Sequence, residues 1–385
     1  MAARSEFSGS RLRLARAFKG LTQAELGELV AVTHQYVGYL EAGHKVPTDV
    51  LVDALAHVCG FEPSFFFGAP VEEFRDEDCH FRRRAATPVS VRTRVLAHGT
   101  LFAMLVAYVD EALSLPEDTV PSIRVETRED VERAAESCRD RWGLGKDVPI
   151  KNLTRAVERA GVVVTRFEGS STKIDAFSRS GKRSVIVLNT DKGSPSRTRF
   201  DLSHETGHLV MHGGRITGDA DSEAQADQFG SAFLMPRAGF AREFPRKARL
   251  DWPVLFRLKK RWGASVAAIV RRAYDLRLID PATYQRGYKY MAAQGWLRGE
   301  PDELVEEHPE IIRLSLEQLE KHLGATALDV CKMLRWTAET FLDVTGIDVP
   351  DYQSPPGDHG GVVQLALIRA EQATGGRPPR TKSRK

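Results

Sequence analysis

The chain is poor in cysteine and nearly balanced in charge for its 385 residues. Its four cysteines lack the paired spacing of a zinc or redox motif, which argues against a disulfide scaffold and a cysteine-based metal site. The formal net charge of +3 is too small to indicate nucleic-acid binding by itself. The sequence starts without an apolar signal core, and no uninterrupted apolar run approaches membrane-spanning length. We therefore expect a reduced, cytoplasmic protein of two or three domains with no membrane span.

One helical stretch, residues 200–212, carries the pattern His-Glu-x-x-His. His204 and His208 are four residues apart, so on a helix both imidazoles share one face and can reach one metal ion. Glu205 lies beside them, where it can take a proton from an attacking water molecule. The alternative interpretation is a surface helix with two solvated histidines.

A catalytic zinc ion usually has three protein ligands, so a third ligand is needed. His212 continues the same spacing, but eight residues of helix rise about 12 Å, too far for three ligands that converge within about 2 Å of one ion. Glu223 on a second probable helix is the better candidate. Asp227, four residues further on, would orient a ligand histidine through its second ring nitrogen. A solvated acidic helix face would explain the same pair.

The combination of these motifs resembles the ImmA/IrrE family of metallopeptidases over residues 147–274. The matching residues are Arg199-Phe200, His204-Glu205, His208, Glu223, Ala226-Asp227, Phe229 and Leu234-Met235-Pro236. The resemblance implies a gluzincin-like fold with zinc on His204, His208 and Glu223, and with Glu205 as general base. It also implies a protein substrate, because characterised members cleave helix-turn-helix repressors. Ser203 stands where the family often has alanine, which should not disturb the metal.

A small β-sheet is predicted before the active helix, from runs at 162–165, 175–178 and 184–189. Its edge strand could pair with an extended substrate backbone and lay a peptide bond beside the zinc. Arg197 and Arg199 are candidates to polarise a carbonyl group or to hold an acidic residue, although solvation is an equal alternative for Arg197.

Residues 10–67 have the spacing of five short helices. Thr22 and Glu25 form a predicted capping box at the start of the second helix, and Thr33 is the predicted cap of the third. Two short helices joined by a tight turn indicate a helix-turn-helix. The region resembles the Cro/C1-type repressor family, often called XRE, through motifs such as residues 21–26 and 37–43.

This second resemblance implies a set of DNA contacts. They are Gln23 and Lys45 at backbone phosphates, and Thr33, His34, Gln35 and Tyr36 at the start of the recognition helix. Gln35 is the expected base reader, because its amide can pair with adenine. Residues 1–60 contain six Lys/Arg and six Asp/Glu, so binding is expected to need a homodimer. A helix-turn-helix kept only for protein contact is the alternative.

The rest of the chain gives fewer functional signals. A basic-aromatic cluster at 79–84 fits a solvated linker better than an accessory DNA or peptide contact, and His80 and His98 are interpreted as incidental. Helices are expected at 95–113 and 128–142. The helices after residue 276 show no chemistry; ligand sensing or dimerisation is their expected role.

The predicted fold is mainly α with a small β-sheet (α+β). Its parts are a helix-turn-helix domain at 8–68, a helical linker at 69–146, a zincin-like metallopeptidase domain at 147–275, a helical C-terminal region at 276–350 and a disordered basic tail at 351–385. The expected function is a DNA-binding regulator with a zinc endopeptidase that cleaves a repressor-like partner or itself. A zinc-bearing sensor without turnover and an antitoxin-like binding protein are the alternatives, since a fold can outlive its activity.

Overall fold

The computed structural model describes residues 6–76, 79–81, 88–167, 176–190, 193–215, 217–246 and 249–349. Helices dominate these residues and a small sheet accompanies them, which confirms the predicted fold class. The predicted tail at 351–385 and most of the basic cluster, Arg82–Arg84, lie outside the described residues. The chain divides into two compact units. The first unit is Met1–Glu73, Pro88–Leu101 and Leu323–Lys385, and the second unit is Phe74–Thr87 and Phe102–His322.

The first unit begins with four α-helices and a 3₁₀ helix. These are α1 (Gly9–Phe18), α2 (Gln23–Leu29), α3 (His34–Glu41), α4 (Asp49–Cys59) and the 3₁₀ helix Pro63–Phe67. The capping box forms as predicted: Thr22 Oγ1 accepts the Glu25 N–H at 3.1 Å, and the Glu25 carboxylate accepts the Thr22 N–H at 2.7 Å. Thr33 caps α3 in the same way. Local sequence thus fixes the two ends of the turn between α2 and α3.

The last two helices belong to this first unit and repeat the α2–α3 geometry. They are α15 (Ala327–Leu334) and α16 (Ala338–Thr345). In both pairs a non-glycine residue of positive φ follows the first helix, namely Ala31 at 57° and Arg335 at 62°. In both pairs a threonine two residues later, Thr33 or Thr337, caps the second helix. The described part of the first unit therefore contains two helix pairs whose turns share this backbone and capping pattern.

The second turn packs onto the end of α4. Trp336 is fully buried and forms a β-bridge with Phe61. The Thr337 hydroxyl donates to the Gly60 carbonyl at 2.7 Å, and Lys19 pairs with Glu339 at 2.8 Å. The first turn of α16 therefore faces its own unit, in contrast to the exposed first turn of α3.

Replacing Trp336 with alanine should destabilise the first unit by about 3–5 kcal/mol, because the substitution leaves a large cavity in a closed core. Hydrogen exchange of the α4 amides measures this locally, since unfolding of a two-unit chain need not be two-state. Met333→Ala is the matched control, because Met333 lies three residues before Trp336, at the end of α15, and is 65% exposed. Equal protection of α4 in the two variants would contradict the assignment.

One helix, α5 (Val89–Leu113), contributes residues to both units. It is six residues longer at its start than predicted, and by length and composition it could cross a membrane. Its apolar residues are interrupted by the charged residues Arg92, Arg94, Asp110 and Glu111. In addition, 56% of its most apolar window is buried inside the protein, as in the core helix of a soluble domain.

The second unit surrounds a four-stranded sheet of order β1-β3-β4-β2. The strands are β1 (His80–Phe81), β2 (Val163–Phe167), β3 (Ala176–Arg179) and β4 (Val185–Asn189). β2 and β4 are parallel, whereas β3 is antiparallel to both of its neighbours. Three strands lie within two residues of the predicted runs; β1 has no sequence prediction behind it.

Nine helices complete the described part of this unit. They are α6 (Arg128–Arg141), α7 (Leu153–Arg159), α8 (Pro195–His212), α9 (Ala220–Leu234), α10 (Arg237–Glu243), α11 (Trp252–Trp262), α12 (Val266–Asp275), α13 (Pro281–Ala293) and α14 (Ile311–Leu323).

Two glycines bring α8 and α9 close together. A Cβ atom at Gly207 would lie 2.9 Å from the Phe229 ring, and one at Gly230 would lie 3.0 Å from Ser203 Oγ. Any larger residue at these two positions would push the helices apart. This close crossing of α8 and α9 positions the side chains of the site described below.

An extended segment at 300–310 supplies carboxylates to the starts of three helices. Glu300 accepts N–H groups at the start of α12, Glu303 accepts two serine hydroxyls at the start of α8, and Glu307 accepts two N–H groups at the start of α7. Negative charge at a helix N-terminus is stabilising. Glu307 also pairs with the buried Arg199, which donates to the Gly263 carbonyl as well. Arg199 therefore holds an acidic residue, one of its two predicted roles, inside the core.

Candidate metal centre and DNA-binding surface

The residues of the His-Glu-x-x-His motif are buried on α8, which packs against both the sheet and α9. The exposed fractions of His204, Glu205 and His208 are 4%, 2% and 0%. Solvated histidines on a surface helix are excluded by this burial. Because buried polar groups need partners, the contacts of each side chain indicate what the site can do.

The structure brings the three predicted ligands together. His204 Nε2 and His208 Nε2 are 3.1 Å apart. The two carboxylate oxygens of Glu223 lie 3.6 Å from His204 Nε2 and 3.4 Å from His208 Nε2, respectively. One potential ligand atom from each of the three residues lies within 4.8 Å of the other two.

These separations fit a small divalent cation. In a tetrahedral site with bonds of about 2.0–2.1 Å to nitrogen and oxygen, neighbouring ligand atoms lie about 3.3 Å apart. The two imidazole nitrogens are 3.1 Å apart, and the two Glu223 oxygens lie 3.6 Å from His204 and 3.4 Å from His208, respectively, so each of these pairs is near this value. Two imidazoles and one carboxylate are also a ligand set in which one coordination position stays open for catalysis.

Asp227 orients the first histidine. Its carboxylate lies 2.8 Å from His204 Nδ1, so it accepts the Nδ1 proton and leaves the Nε2 lone pair directed toward Glu223. Burial lowers the pKa of His204, but the Asp227 hydrogen bond and the nearby carboxylates outweigh burial and raise it overall. Asp227 thus occupies the position expected of it from the sequence.

His212 orients the second histidine. His208 Nδ1 is 3.0 Å from His212 Nδ1, and His212 Nε2 is 2.8 Å from Gln225 Oε1. If the Gln225 oxygen accepts the Nε2 proton, His212 Nδ1 must accept from His208, and His208 Nε2 is left as a lone pair. Burial lowers the pKa of His208 well below its usual value and keeps it neutral. His212 is therefore a partner of a ligand, consistent with its exclusion as a third ligand.

Ser178, a residue that the sequence analysis missed, holds Glu205. The Ser178 hydroxyl donates to Glu205 Oε2 at 2.6 Å from the adjacent strand β3. Burial raises the pKa of Glu205 to about 8, and a carboxylate with a pKa near neutrality can both accept and return a proton. A serine within a predicted edge strand carries no local signal for this contact.

His80, interpreted from the sequence as incidental rather than as a metal ligand, lies against the site. Its ring stacks on that of His208 with centroids 5.1 Å apart and planes 7° apart. Its Nδ1 lies 2.9 Å from Thr217 Oγ1. Burial lowers the pKa of His80 to about 3, so the ring is neutral at physiological pH. His98 lies elsewhere, buried beside Phe18 in the first unit.

The predicted DNA contacts cluster around α3. Thr33, His34, Gln35 and Lys45 are exposed and Tyr36 is half-buried. The Lys45 ammonium lies 5.1 Å from the centre of the Tyr36 ring, so its charge is held beside the recognition helix.

The Gln23 side chain is fixed rather than free. Its amide nitrogen donates to Glu41 Oε2 at 2.7 Å, and Glu41 also accepts from Arg16 at 3.0 Å. This bond uses one of the two N–H groups of the amide, so the second N–H can still donate to a phosphate while the side chain stays on Glu41.

The first unit contains a helix-turn-helix. The second unit contains a helix whose two histidines, His204 and His208, lie against the carboxylate of Glu223. These features define a chain with a DNA-binding type of domain and a metallopeptidase-like domain. Comparison with known families agrees: residues 157–274 match the IrrE N-terminal-like domain, Peptidase_M78, and residues 9–64 match a helix-turn-helix domain. The predicted fusion of the two is confirmed. No curated protein matches the chain.

Proposed function

We propose that this protein is a transcriptional regulator that binds double-stranded DNA through its first unit and hydrolyses a peptide bond with its second. Zinc is the proposed cofactor, held by His204, His208 and Glu223. The proposed substrate is a helix-turn-helix repressor or the chain itself. A homodimer in the cytoplasm remains the expected working form.

Hydrolysis would use the side chains as follows. A bound zinc ion would supply a Lewis acid that polarises the scissile carbonyl and favours deprotonation of water. Glu205 would take the proton of the attacking water and return it to the leaving amine, with Ser178 fixing the carboxylate. Asp227 and His212 would hold the two ligand imidazoles in the tautomers that keep Nε2 unprotonated.

The hydrogen bond between Ser178 and Glu205 is the observation that carries the hydrolase proposal. A protein that only senses zinc needs His204, His208 and Glu223, but it has no use for a buried carboxylate of raised pKa oriented beside them. A sensor or antitoxin-like regulator without turnover is the second candidate, since a fold can outlive its activity.

The direct test is incubation of the zinc-loaded protein with purified products of neighbouring genes, repressors first. New fragments that disappear in the Glu205→Gln variant would support hydrolysis. Stable complexes with intact partners, and no fragments, would favour the binding protein instead.

For the DNA-binding unit, Gln35→Ala is expected to reduce discrimination between an operator and a mismatched site by about 1–3 kcal/mol, because one bidentate base contact is lost. Titrations against both DNAs measure this. Lys45→Ala is the matched control on the same surface. It should weaken binding to both DNAs equally and lower the slope of log affinity against log salt concentration by about one. Equal losses on both DNAs in Gln35→Ala would assign Gln35 to backbone contact.

A further inference from the structure

We propose that the outer edge of β3 is the docking surface for an extended peptide, and that the chain's own segment Cys79–Phe81 occupies it in the resting protein. The peptide would run antiparallel to β3, and its entry would require β1 to leave. The cleavage part of this inference rests on the proposed peptidase function; the occupancy part does not.

The first support is the position of β1 in the sheet. β1 pairs antiparallel with β3, with His80 opposite Ser178 and Phe81 opposite Phe177. On its other side β3 pairs with β4. Without β1, the backbone N–H and C=O groups along this side of β3 would form a free edge, which is the usual template for an added strand.

The second support is the register. Ser178 is the β3 residue that holds Glu205, and residues directly opposite in an antiparallel pair project to the same face of the sheet. The residue opposite Ser178 therefore faces α8. In the resting chain this residue is His80, whose ring lies 5.1 Å from that of His208. A peptide in the same register would place its own residue there, beside the general base and the metal ligands.

The third support is the length of β3. β3 has four residues, Ala176–Arg179, and within the described residues β1 pairs with two of them. An extended peptide could pair with all four and so displace β1 in competition. This favours an unfolded or extended protein segment as substrate over a helix or an intact folded domain, because only an extended backbone can add to a strand edge.

Two contacts hold β1 in place besides the ladder. The His80 ring stacks on that of His208, and His80 Nδ1 lies 2.9 Å from Thr217 Oγ1. Cys79, the preceding residue, is 4% exposed. The burial of Cys79 makes its alkylation rate a direct measure of β1 release, independent of catalysis. Cys138, buried in the core of the same unit, reports general unfolding.

The test combines alkylation by iodoacetamide, quantified for each cysteine by mass spectrometry, with hydrolysis of labelled β-casein by the zinc-loaded full chain. His80→Pro removes both the ring and the backbone N–H of residue 80. Thr217→Val removes only the hydrogen bond between Thr217 and His80. It is the alternative variant if His80→Pro unfolds. Cys79 alkylation should rise at least tenfold in His80→Pro and to a smaller extent in Thr217→Val, with Cys138 unchanged. Casein hydrolysis should rise in the same order.

The other outcomes of this test would each contradict a separate part of the proposal. Rapid alkylation of Cys79 in the parent protein, or no rise in a variant whose Cys138 stays protected, would overturn the occupancy. Faster casein hydrolysis without faster alkylation would overturn the competition between β1 and substrate. Faster Cys79 alkylation with no hydrolysis by any variant would leave the occupancy standing and would refute the peptidase function on which the cleavage part rests.

Discussion

Replacing Glu205 with glutamine is expected to lower the rate of peptide hydrolysis by about 10²–10⁴-fold, the usual contribution of a general acid-base residue. Glutamine has nearly the same shape and can still accept the Ser178 hydrogen bond, but it cannot take a proton. Zinc affinity should be nearly unchanged, since Glu205 is not among the three grouped ligands. Single-turnover cleavage of an identified substrate and zinc titration measure the two quantities separately.

Ser178→Ala is the companion variant. It keeps the Glu205 carboxylate but removes the hydroxyl that orients it, so its loss of rate should be smaller than that of Glu205→Gln. Cleavage at the parental rate by Glu205→Gln would rule out Glu205 as the base. A larger loss in Ser178→Ala than in Glu205→Gln would point to a different role for the strand.

Glu223→Ala is expected to weaken zinc binding by more than about 100-fold. Loss of a hydrogen-bonding partner of a ligand typically costs about 10–100-fold in metal affinity, and loss of the ligand itself should cost more. Asp227→Asn, which weakens only the support of His204, should therefore fall inside that range. Competition against a chromophoric chelator gives both affinities.

Asp221→Asn is the control for this series, because Asp221 is an exposed acidic residue in the first turn of the same helix. Its zinc affinity should match that of the parent. If Glu223→Ala binds zinc as well as Asp221→Asn does, the ion is not held by the proposed trio. The distances among His204, His208 and Glu223 would then describe a hydrogen-bonded cluster only.

Local patterns were sufficient to predict the centre of the site. The four-residue spacing of His204 and His208 set their common face, and the same spacing selected Glu223 and Asp227 on the next helix. Ser178, Gln225 and His80 could not be predicted, since their roles depend on which strand and helix faces meet α8. A two-residue strand such as β1 has too few residues for any periodic signal.

The same division applies to the first unit. Thr22, Glu25 and Thr33 are local signals for caps, and the caps form. The packing of Trp336 against Phe61 joins residues far apart in the sequence, and no short motif indicates it. The predicted domain limits stay predictions, although α15 and α16 share a compact unit with the N-terminal helices.

That arrangement has a consequence for synthesis. Arg335 hydrogen-bonds to the Ser64 carbonyl across 271 residues of chain. At about 5–20 residues per second, a ribosome needs on the order of tens of seconds to bridge that gap. The N-terminal helices would thus lack the contacts of α15 and α16 while the whole metallopeptidase-like unit is translated. Chains that terminate before α15 would then lack the contacts that the second turn makes with the end of α4.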